Sequence, residues 1–291
     1  MLKENLEQLF EFIAQHIPAE KIMQAKQEYQ KMTGEIYEDD KSYNTRMALF
    51  LEWYLLDNYL PGTQTTILEN LTEENQFSWS QDHIDVCKDI SNNIQALFEV
   101  KKIRDKSVTV LNLFTDEKFL VEEENSKLVF RKNDIFHGRI VPRQGKWLFT
   151  GYFCFHPSKT QRYIKEETKK YFLLYRTWKK ELMLLEKELS KVEKAFLKNG
   201  RQIEKIKSKV ERLESGNKKE ILTKELLILE ENRRTLEVNI KEIEEKITKL
   251  TEETIKGEGK ILISELINKL AYMNLKWERS RQIEISDIYK N

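Results

Sequence analysis

Two pairs of metal-binding side chains are the clearest chemical signal in this 291-residue sequence. His83 and Cys87 are four residues apart, which places them on one face of a helix, and Cys154 and His156 are two apart, which places them on one face of a strand. Two cysteines and two histidines are a ligand set for zinc. Because nothing in the sequence brings that helix to that strand, we expect ordinary packing at these positions, and no metal or other cofactor.

Sequence motifs of catalysis are missing. The chain contains no G-x-x-x-x-G-K-[ST] or G-x-G-x-x-G phosphate loop, no G-x-S-x-G nucleophile elbow and no H-E-x-x-H zinc motif. Asp134, His137 and Arg139 can form a polar cluster at the rim of a small barrel, although such groups are more often ordinary surface residues. The sequence therefore predicts a protein that is not an enzyme.

The strongest binding signal is the basic, aromatic neck Lys159–Lys180, which reads KTQRYIKEETKKYFLLYRTWKK and holds eight basic and two acidic side chains. Basic side chains contact phosphates and aromatic rings stack on bases, so this composition is typical of nucleic-acid binding. The aromatic residues Tyr171, Tyr175 and Trp178 have the spacing of a buried helix face, which leaves the basic residues as the predicted contacts. Those contacts are Lys165, Lys169, Lys170, Arg176, Lys179 and Lys180, with Arg139 and Arg143 from the preceding segment.

The charge distribution leaves a second interpretation open. Residues 1–99 carry 18 acidic and 7 basic side chains, and residues 159–200 carry 12 basic and 6 acidic ones, although the net charge of the chain is +1. Either the acidic head and the basic neck attract each other, or the neck meets an acidic partner such as nucleic acid.

The sequence predicts a cytoplasmic protein. It has no run of 18 apolar residues, and acidic residues interrupt the apolar positions of its N-terminus, so we expect neither a membrane span nor a signal peptide. Its two cysteines, Cys87 and Cys154, are far apart and form no CxxC pair, which fits a reducing compartment.

Apolar periodicity divides the chain into segments and predicts an α+β fold that is mainly α. Residues 1–94 have helical periodicity and form an acidic helical domain. Residues 95–158 have period 2 in five strand-length runs, which predicts a small antiparallel five-stranded barrel of the SH3-like or OB-like kind. Its predicted inward residues are Phe98, Val100, Val110, Leu113, Val121, Ile135, Ile140 and Phe149.

One part of the sequence, residues 46–158, resembles a known family. The stretches FLEWYLLDNYLPGTQTT, ALFEVKKIRDKSVTVLNLFTDEKFLVEEENS, KNDIFHGRIVP and WLFTGYFCFHPS resemble the uncharacterised helical-plus-barrel region of bacterial proteins related to those with the SEC-C zinc-binding motif. The resemblance rests on pattern: a helix ending at Asp57, a strand ending at LNLFTDEKF, and Asn133-Asp134 ahead of the Arg139 strand. It implies an interaction role without an established activity. Members usually add a cysteine-rich zinc module, which this chain lacks, so zinc binding by that module is not implied.

Heptad periodicity in residues 159–256 predicts an antiparallel coiled-coil hairpin, the arm. One 4-3 alternation of seam positions runs from Ile164 to Leu213 and a second runs from Leu222 to Leu250. Ser215, Gly216 and Asn217 mark a tip between them, which would place the polar seam residues Asn199 and Arg233 opposite each other. The Asn199-Gly200 pair is also a helix-ending signal, but the heptad phase agrees on both sides of it, so we expect one continuous helix. Residues 257–291 are predicted to form a further helix that packs at the base of the hairpin.

The length of the arm suggests a function. We expect a non-enzymatic interaction or scaffold protein that binds a protein partner, or a second copy of itself, through the arm and the barrel. The expected contacts are at the tip, Ser215, Gly216, Asn217 and Ile221, and at the exposed apolar positions Leu184, Leu197, Leu227 and Ile228. The alternative is a nucleic-acid-associated factor that binds through the barrel and the neck.

Overall fold

Five helices form the head, and their apolar spacing explains their packing. The computed structural model describes residues 2–60, 62–63, 65–74, 79–123, 125–280 and 282–290. In the first helix the five apolar residues at helical spacing, from Leu2 to Ile13, are all buried. Ser80 caps the fifth helix by accepting a hydrogen bond from the backbone N–H of His83. The helices are α1 (Leu2–His16), α2 (Ala19–Thr33), α3 (Tyr43–Leu56), α4 (Ile67–Glu74) and α5 (Gln81–Ser91).

A small closed barrel follows the head, as predicted. Its elements are β1 (Ile94–Arg104), β2 (Ser107–Asn112), β3 (Lys118–Glu122), α6 (Ser126–Val129), β4 (Ile135–Arg143), β5 (Lys146–Phe149) and β6 (Cys154–His156). The strand order is β1-β2-β3-β5-β4, and β4 pairs again with β1, which closes the ring of five strands. Gly151, with φ +97°, lies between β5 and β6 and separates the two strands. The separate β6 therefore pairs with β4 beside the ring.

One pair of strands departs from the predicted antiparallel arrangement. Strands β3 and β5 are parallel, with Val121 beside Trp147, because the chain crosses over through α6 and β4 before it returns as β5. This strand order, the parallel pair and the helical turn after β3 are features of an OB-type barrel, one of the two kinds that the sequence predicts.

Aromatic packing fills the barrel. The rings of Phe98, Phe130, Phe136, Phe149, Phe153 and Phe155 pack around one another, and the Phe136 and Phe153 centroids are 5.2 Å apart. Seven of the eight predicted inward residues are buried, and Leu113 is half-buried. Ile135 is buried on the other face of β4, the face that it shares with His137 and Arg139. Strand β4 is therefore buried on both faces along most of its length.

Two long helical segments form the C-terminal part of the chain. A 3₁₀ turn at Ser158–Thr160 leads into α7 (Gln161–Glu211), which continues through Asn199-Gly200 as predicted. The next segment consists of α8 (Asn217–Thr248), a π-helix (Lys249–Glu258) and α9 (Gly259–Arg279), and a short α10 (Ile285–Ile288) follows. The helix does not end at the predicted boundary between residues 256 and 257, because a glycine inside a helix costs only about 1 kcal/mol.

The chain forms two compact units. Unit 1 comprises Met1–Phe172 and Leu262–Asn291, and unit 2 comprises Leu173–Ile261. In unit 1, α9 packs against the head and the barrel: Arg46 of α3 donates to the carbonyl oxygen of Ala271, and Asn274 donates to that of Phe155. Packing of residues 257–291 at the base of a hairpin stays a prediction.

In unit 2 most of the side chains with reduced exposure lie at the predicted seam positions. Asn199, Ile203, Ile206, Ile243 and Leu250 are the buried ones that face the seam, and the other seam residues are half-buried. Asn199 donates to the Leu229 carbonyl oxygen over 3.2 Å, and the Arg233 guanidinium lies 4.5 Å from the centroid of the Phe196 ring. The two helices therefore pack antiparallel, with the two polar seam residues within about one turn of each other.

The separate cores of the units predict that unit 1 folds without most of unit 2. We expect a variant that lacks residues 190–245, closed by a short Gly-containing turn, to keep a cooperative thermal transition and the near-ultraviolet circular dichroism of the packed aromatic cluster. The control is Phe136→Ala in the full chain, which should cost about 3–5 kcal/mol in urea unfolding. Loss of the cooperative transition in the deletion variant would show that the two units fold as one.

Candidate functional site

The outer face of β4 and β6 carries buried polar side chains, which we call the β4 polar cluster: Glu52, Asp57, His137, Arg139, Cys154 and His156. Helix α3 supplies Glu52, the residue directly after this helix is Asp57, β4 supplies His137 and Arg139, and β6 supplies Cys154 and His156. Arg46 of α3 and Asn274 of α9, themselves buried, cover the cluster. Strand alternation explains why the β4 members share one face, because side chains two residues apart point the same way.

Arg139 is the centre of an ion-pair network. Its side chain is 2% exposed; its Nη2 donates to Asp57 Oδ2, and its Nε lies 3.5 Å from Glu52 Oε2. Its Nη1 donates to Asn93 Oδ1 over 2.7 Å. The expectation that Arg139 contacts nucleic acid is therefore wrong, because both faces of its strand are covered and its charge is neutralised inside unit 1.

One cation, Arg139, faces two carboxylates in this network, Asp57 and Glu52. Burial raises the pKa of Glu52 to about 7, the Arg139 charge opposes this rise, and the nearby Asp57 adds to it. Asp57 makes the closer contact with Arg139 and is its direct ion-pair partner.

Three members of the cluster form a group that can hold a metal ion. One ligand atom from each of His137, Cys154 and His156 lies within 4.8 Å of the others. Burial lowers the pKa of His156 to about 3 and holds that of His137 well below its usual range, so both imidazoles are neutral. Burial also raises the pKa of Cys154 to about 11, which makes this thiol a poor nucleophile.

The possible metal ligands that come together in the structure differ from the two pairs noted in the sequence. Cys154 and His156 do share one strand face, but the residue that joins them is His137, and the group does not include His83 or Cys87. Sequence reasoning missed His137 because the pairing of β4 with β6, which puts His137 opposite Cys154, depends on strand register. The period-2 pattern alone places His137 only at a barrel rim.

Several predicted nucleic-acid contacts already have acidic partners. Arg143 pairs with Asp89 at 3.2 Å, Lys165 pairs with Glu99 at 3.0 Å, and Lys170 pairs with Glu167. Of the remaining predicted contacts, Lys169 is exposed in unit 1, and Arg176, Lys179 and Lys180 are exposed in unit 2. Arg143 and Lys165 thus bond to acidic residues of the head and of β1. These contacts agree with the interpretation that the acidic head attracts the basic part of the chain.

The predicted tip lies at the turn between α7 and α8. Ser215 and Gly216 are in the turn, where Gly216 has φ +119°, and Asn217 begins α8. Ile221, one turn further along α8, is 59% exposed. A contact role for these residues stays a prediction.

Unit 2 also exposes apolar side chains outside its seam. Nine large apolar side chains of this unit are more than half exposed: Leu173, Ile261 and seven that lie between Met183 and Val238. The seven include the four predicted apolar contacts. The seven are Met183, Leu184, Leu197, Ile221, Leu227, Ile228 and Val238.

Comparison with known proteins places the chain in a family. The model of a family of unknown function, DUF7986, matches residues 1–182, which comprise the head, the barrel and the start of α7. The chain belongs to this family. No curated protein matches the chain, and no solved structure matches it. Among the described residues, no helix combines the length and the apolar character that crossing a membrane requires.

The raised pKa of Glu52 predicts a pH-dependent stability. In the unfolded state Glu52 loses its proton near its ordinary pKa of 4.5, whereas in the folded state it keeps the proton up to about pH 7. Proton binding at Glu52 therefore stabilises the folded state fully below pH 4.5, and this stabilisation is lost as the pH rises through 7. We expect the free energy of unfolding of the wild type, relative to Glu52→Gln, to fall by roughly 2–3 kcal/mol between pH 5 and pH 8. Urea titrations of both proteins at the two pH values measure this difference.

The matched control is Glu38→Gln, which neutralises an exposed carboxylate of the same unit. Its free energy of unfolding relative to the wild type should change little between the two pH values. An equally small change for Glu52→Gln would mean that Glu52 is ionised throughout and that Arg139 neutralises it.

Proposed function

We propose that the protein is a non-enzymatic interaction protein that binds a protein partner, or a second copy of itself, through unit 2. The observation that carries the proposal is the set of seven exposed apolar side chains between Met183 and Val238, all of which lie outside the helix–helix seam. Single exposed apolar residues are normal on any protein surface, but a grouped set marks an interaction surface.

The spacing of these residues groups them. Met183 and Leu197 are 14 residues apart on α7, and Ile221 and Ile228 are seven apart on α8. Seven residues make nearly two helical turns, so each pair lies on one face of its helix. The surrounding residues of both helices are mostly charged and exposed, which keeps such a surface soluble until a partner covers it.

Burial of these side chains would supply the driving force for association. Each large aliphatic side chain contributes roughly 1.5–3 kcal/mol when it becomes fully buried. Two such residues on each helix are therefore enough to make association sensitive to single substitutions.

The proposal has two further parts, which concern the relatives of the family and the cellular location of the protein. We propose that the family is related to the bacterial proteins that carry the SEC-C motif, on the sequence pattern of residues 46–158, and that the protein acts in the cytoplasm. The two free cysteines fit that location.

Charged substitutions in unit 2 test the proposal. We expect the double variant Leu197→Glu/Ile228→Glu to lower the affinity of self-association or partner binding at least tenfold, because a buried glutamate lacks a partner there. Analytical ultracentrifugation measures self-association, and cross-linking with mass spectrometry identifies the residues at any partner interface.

The matched control is Gln202→Glu/Asn232→Glu, which adds the same charge at exposed polar positions of the same two helices. This control should associate like the wild type. If the wild type were monomeric and no cross-link mapped to unit 2, or if the two double variants behaved alike, the interaction proposal would be wrong.

The alternative proposal is a nucleic-acid-associated factor, and the OB-type strand order favours it. Barrels of this kind bind oligonucleotides on one sheet face and on adjoining loops. Exposed basic side chains on unit 1, among them Lys102, Lys118 and Lys169, are available for phosphate contacts. This proposal is weaker, because fold analogy does not establish a site and because several basic residues are already paired.

Salt dependence tests the alternative. If the protein binds nucleic acid through these lysines, the affinity for mixed-sequence single-stranded DNA and RNA should fall steeply between 50 and 200 mM salt, about 10³-fold for six phosphate contacts. Fluorescence anisotropy at several salt concentrations gives the slope of log affinity against log salt concentration. Lys169→Gln should reduce the magnitude of this slope by about one, because one phosphate contact is lost. Absence of binding at 50 mM salt would remove the alternative and leave the interaction proposal untouched.

A further inference from the structure

We infer that His137, Cys154 and His156 form a binding site for one transition-metal ion in unit 1, and that zinc(II) is the ion that suits these donors best. The site is independent of the proposed interaction function, which rests on unit 2.

Strand pairing holds the three donors in place. His137 lies opposite Cys154 in the antiparallel pairing of β4 with β6, and His156 is two residues further along the same face of β6. The three ligand atoms lie within 4.8 Å of one another, whereas the donors of a tetrahedral zinc site, bound at about 2.0–2.3 Å, are roughly 3.4–3.6 Å apart. Side-chain rotation that brings the donors about 1 Å closer completes the geometry.

Two buried nitrogen atoms of the group lack hydrogen bonds within the described part of the chain. They are His137 Nδ1 and His156 Nε2, and the two residues are 3% and 6% exposed. A buried polar atom without a partner costs about 1–3 kcal/mol, and buried polar groups in native proteins are nearly always satisfied. A metal ion at the centre of the three donors satisfies both nitrogens at once.

The surroundings of His156 orient its free nitrogen. His156 Nδ1 lies 3.3 Å from the hydroxyl oxygen of Tyr289 in the C-terminal segment. When His156 Nε2 binds a metal, Nδ1 carries the ring proton and donates it to the Tyr289 hydroxyl, which is the usual arrangement of an outer partner of a metal-binding histidine.

Metal binding at this group uses two neutral imidazoles and one cysteine thiolate. Binding of zinc(II) forms a bond to the thiolate sulfur and releases the thiol proton to solvent.

A cavity beside Cys154 provides a route and a fourth position. The cavity has a volume of about 280 Å³, and Cys154 lines it together with Arg46, Asn274 and Glu278. The positive charge of Arg46 opposes a cation, but Glu278 pairs with Arg46 at 3.5 Å and offsets that charge. Two imidazoles and one thiolate leave one tetrahedral position, which a water molecule from this cavity fills.

Metal titration of the full-length chain tests the site. After chelator treatment, we expect the chain to bind one zinc ion, and cobalt(II) to give a thiolate charge-transfer band. Cys154→Ala should abolish this band and lower the zinc affinity more than about 100-fold, a larger loss than that of an outer partner. This variant should fold, because a buried free cysteine packs as a small apolar residue. His137→Gln and His156→Gln should weaken zinc binding similarly.

Cys87→Ser and His83→Gln are the matched controls, because they change the same residue types outside the group. Both should keep the one-to-one stoichiometry and the cobalt band. Tyr289→Phe should keep the stoichiometry and lower the affinity about tenfold. Circular dichroism of each variant separates loss of the site from loss of the fold.

Three results would overturn the inference. One is a wild-type chain that takes up neither zinc nor cobalt at one equivalent. The second is a folded Cys154→Ala variant that binds zinc as tightly as the wild type. The third is a folded Cys87→Ser variant that loses binding to the extent expected of Cys154→Ala.

Discussion

The buried Arg139 guanidinium is the constraint on which unit 1 depends. Removing one partner from a buried ion pair leaves a charge without compensation, which costs about 3–5 kcal/mol. Strand β4 must therefore keep the position at which Arg139 reaches Glu52 in α3, Asp57 just after α3, and Asn93 after α5. The same contacts fix the end of α3 against the barrel, and they place His137, two residues before Arg139, on the covered face.

The sequence predicts the helices and strands well, but it predicts poorly how they pack against one another. Strand β4 shows why. Alternation in DIFHGRIV predicts a strand, and the seam positions of α7 and α8 predict which side chains lose exposure, because both patterns depend on local geometry. Whether the polar face of β4 is solvated or covered depends on where α3 and α9 pack, and no local pattern contains that information. Arg139 was therefore predicted as a surface residue although it is buried, and His137 was not recognised as the partner of Cys154.

The seam of unit 2 shows how packing between two helices can override a local signal in the sequence. Gly200 reads as a helix end, yet a Cβ atom there would lie 3.1 Å from Arg233 Nη1. The missing side chain thus makes room for the guanidinium, which lies over the Phe196 ring while Asn199 bonds to the opposite helix. Polar residues in a seam lower stability but disfavour shifted pairings, because a shift would leave them buried without partners. The glycine is better explained by this packing than by a turn.

The extent of the family match separates the two proposed properties. The family model covers residues 1–182, so it includes His137, Cys154, His156 and the ion-pair network of Arg139, but it ends within α7. The seven exposed apolar side chains between Met183 and Val238 lie beyond residue 182, and so do Asn274 and Tyr289, which contact residues of β6. The three donors of the inferred metal site are therefore inside the matched part of the chain, whereas the surface proposed for binding through unit 2 is outside it.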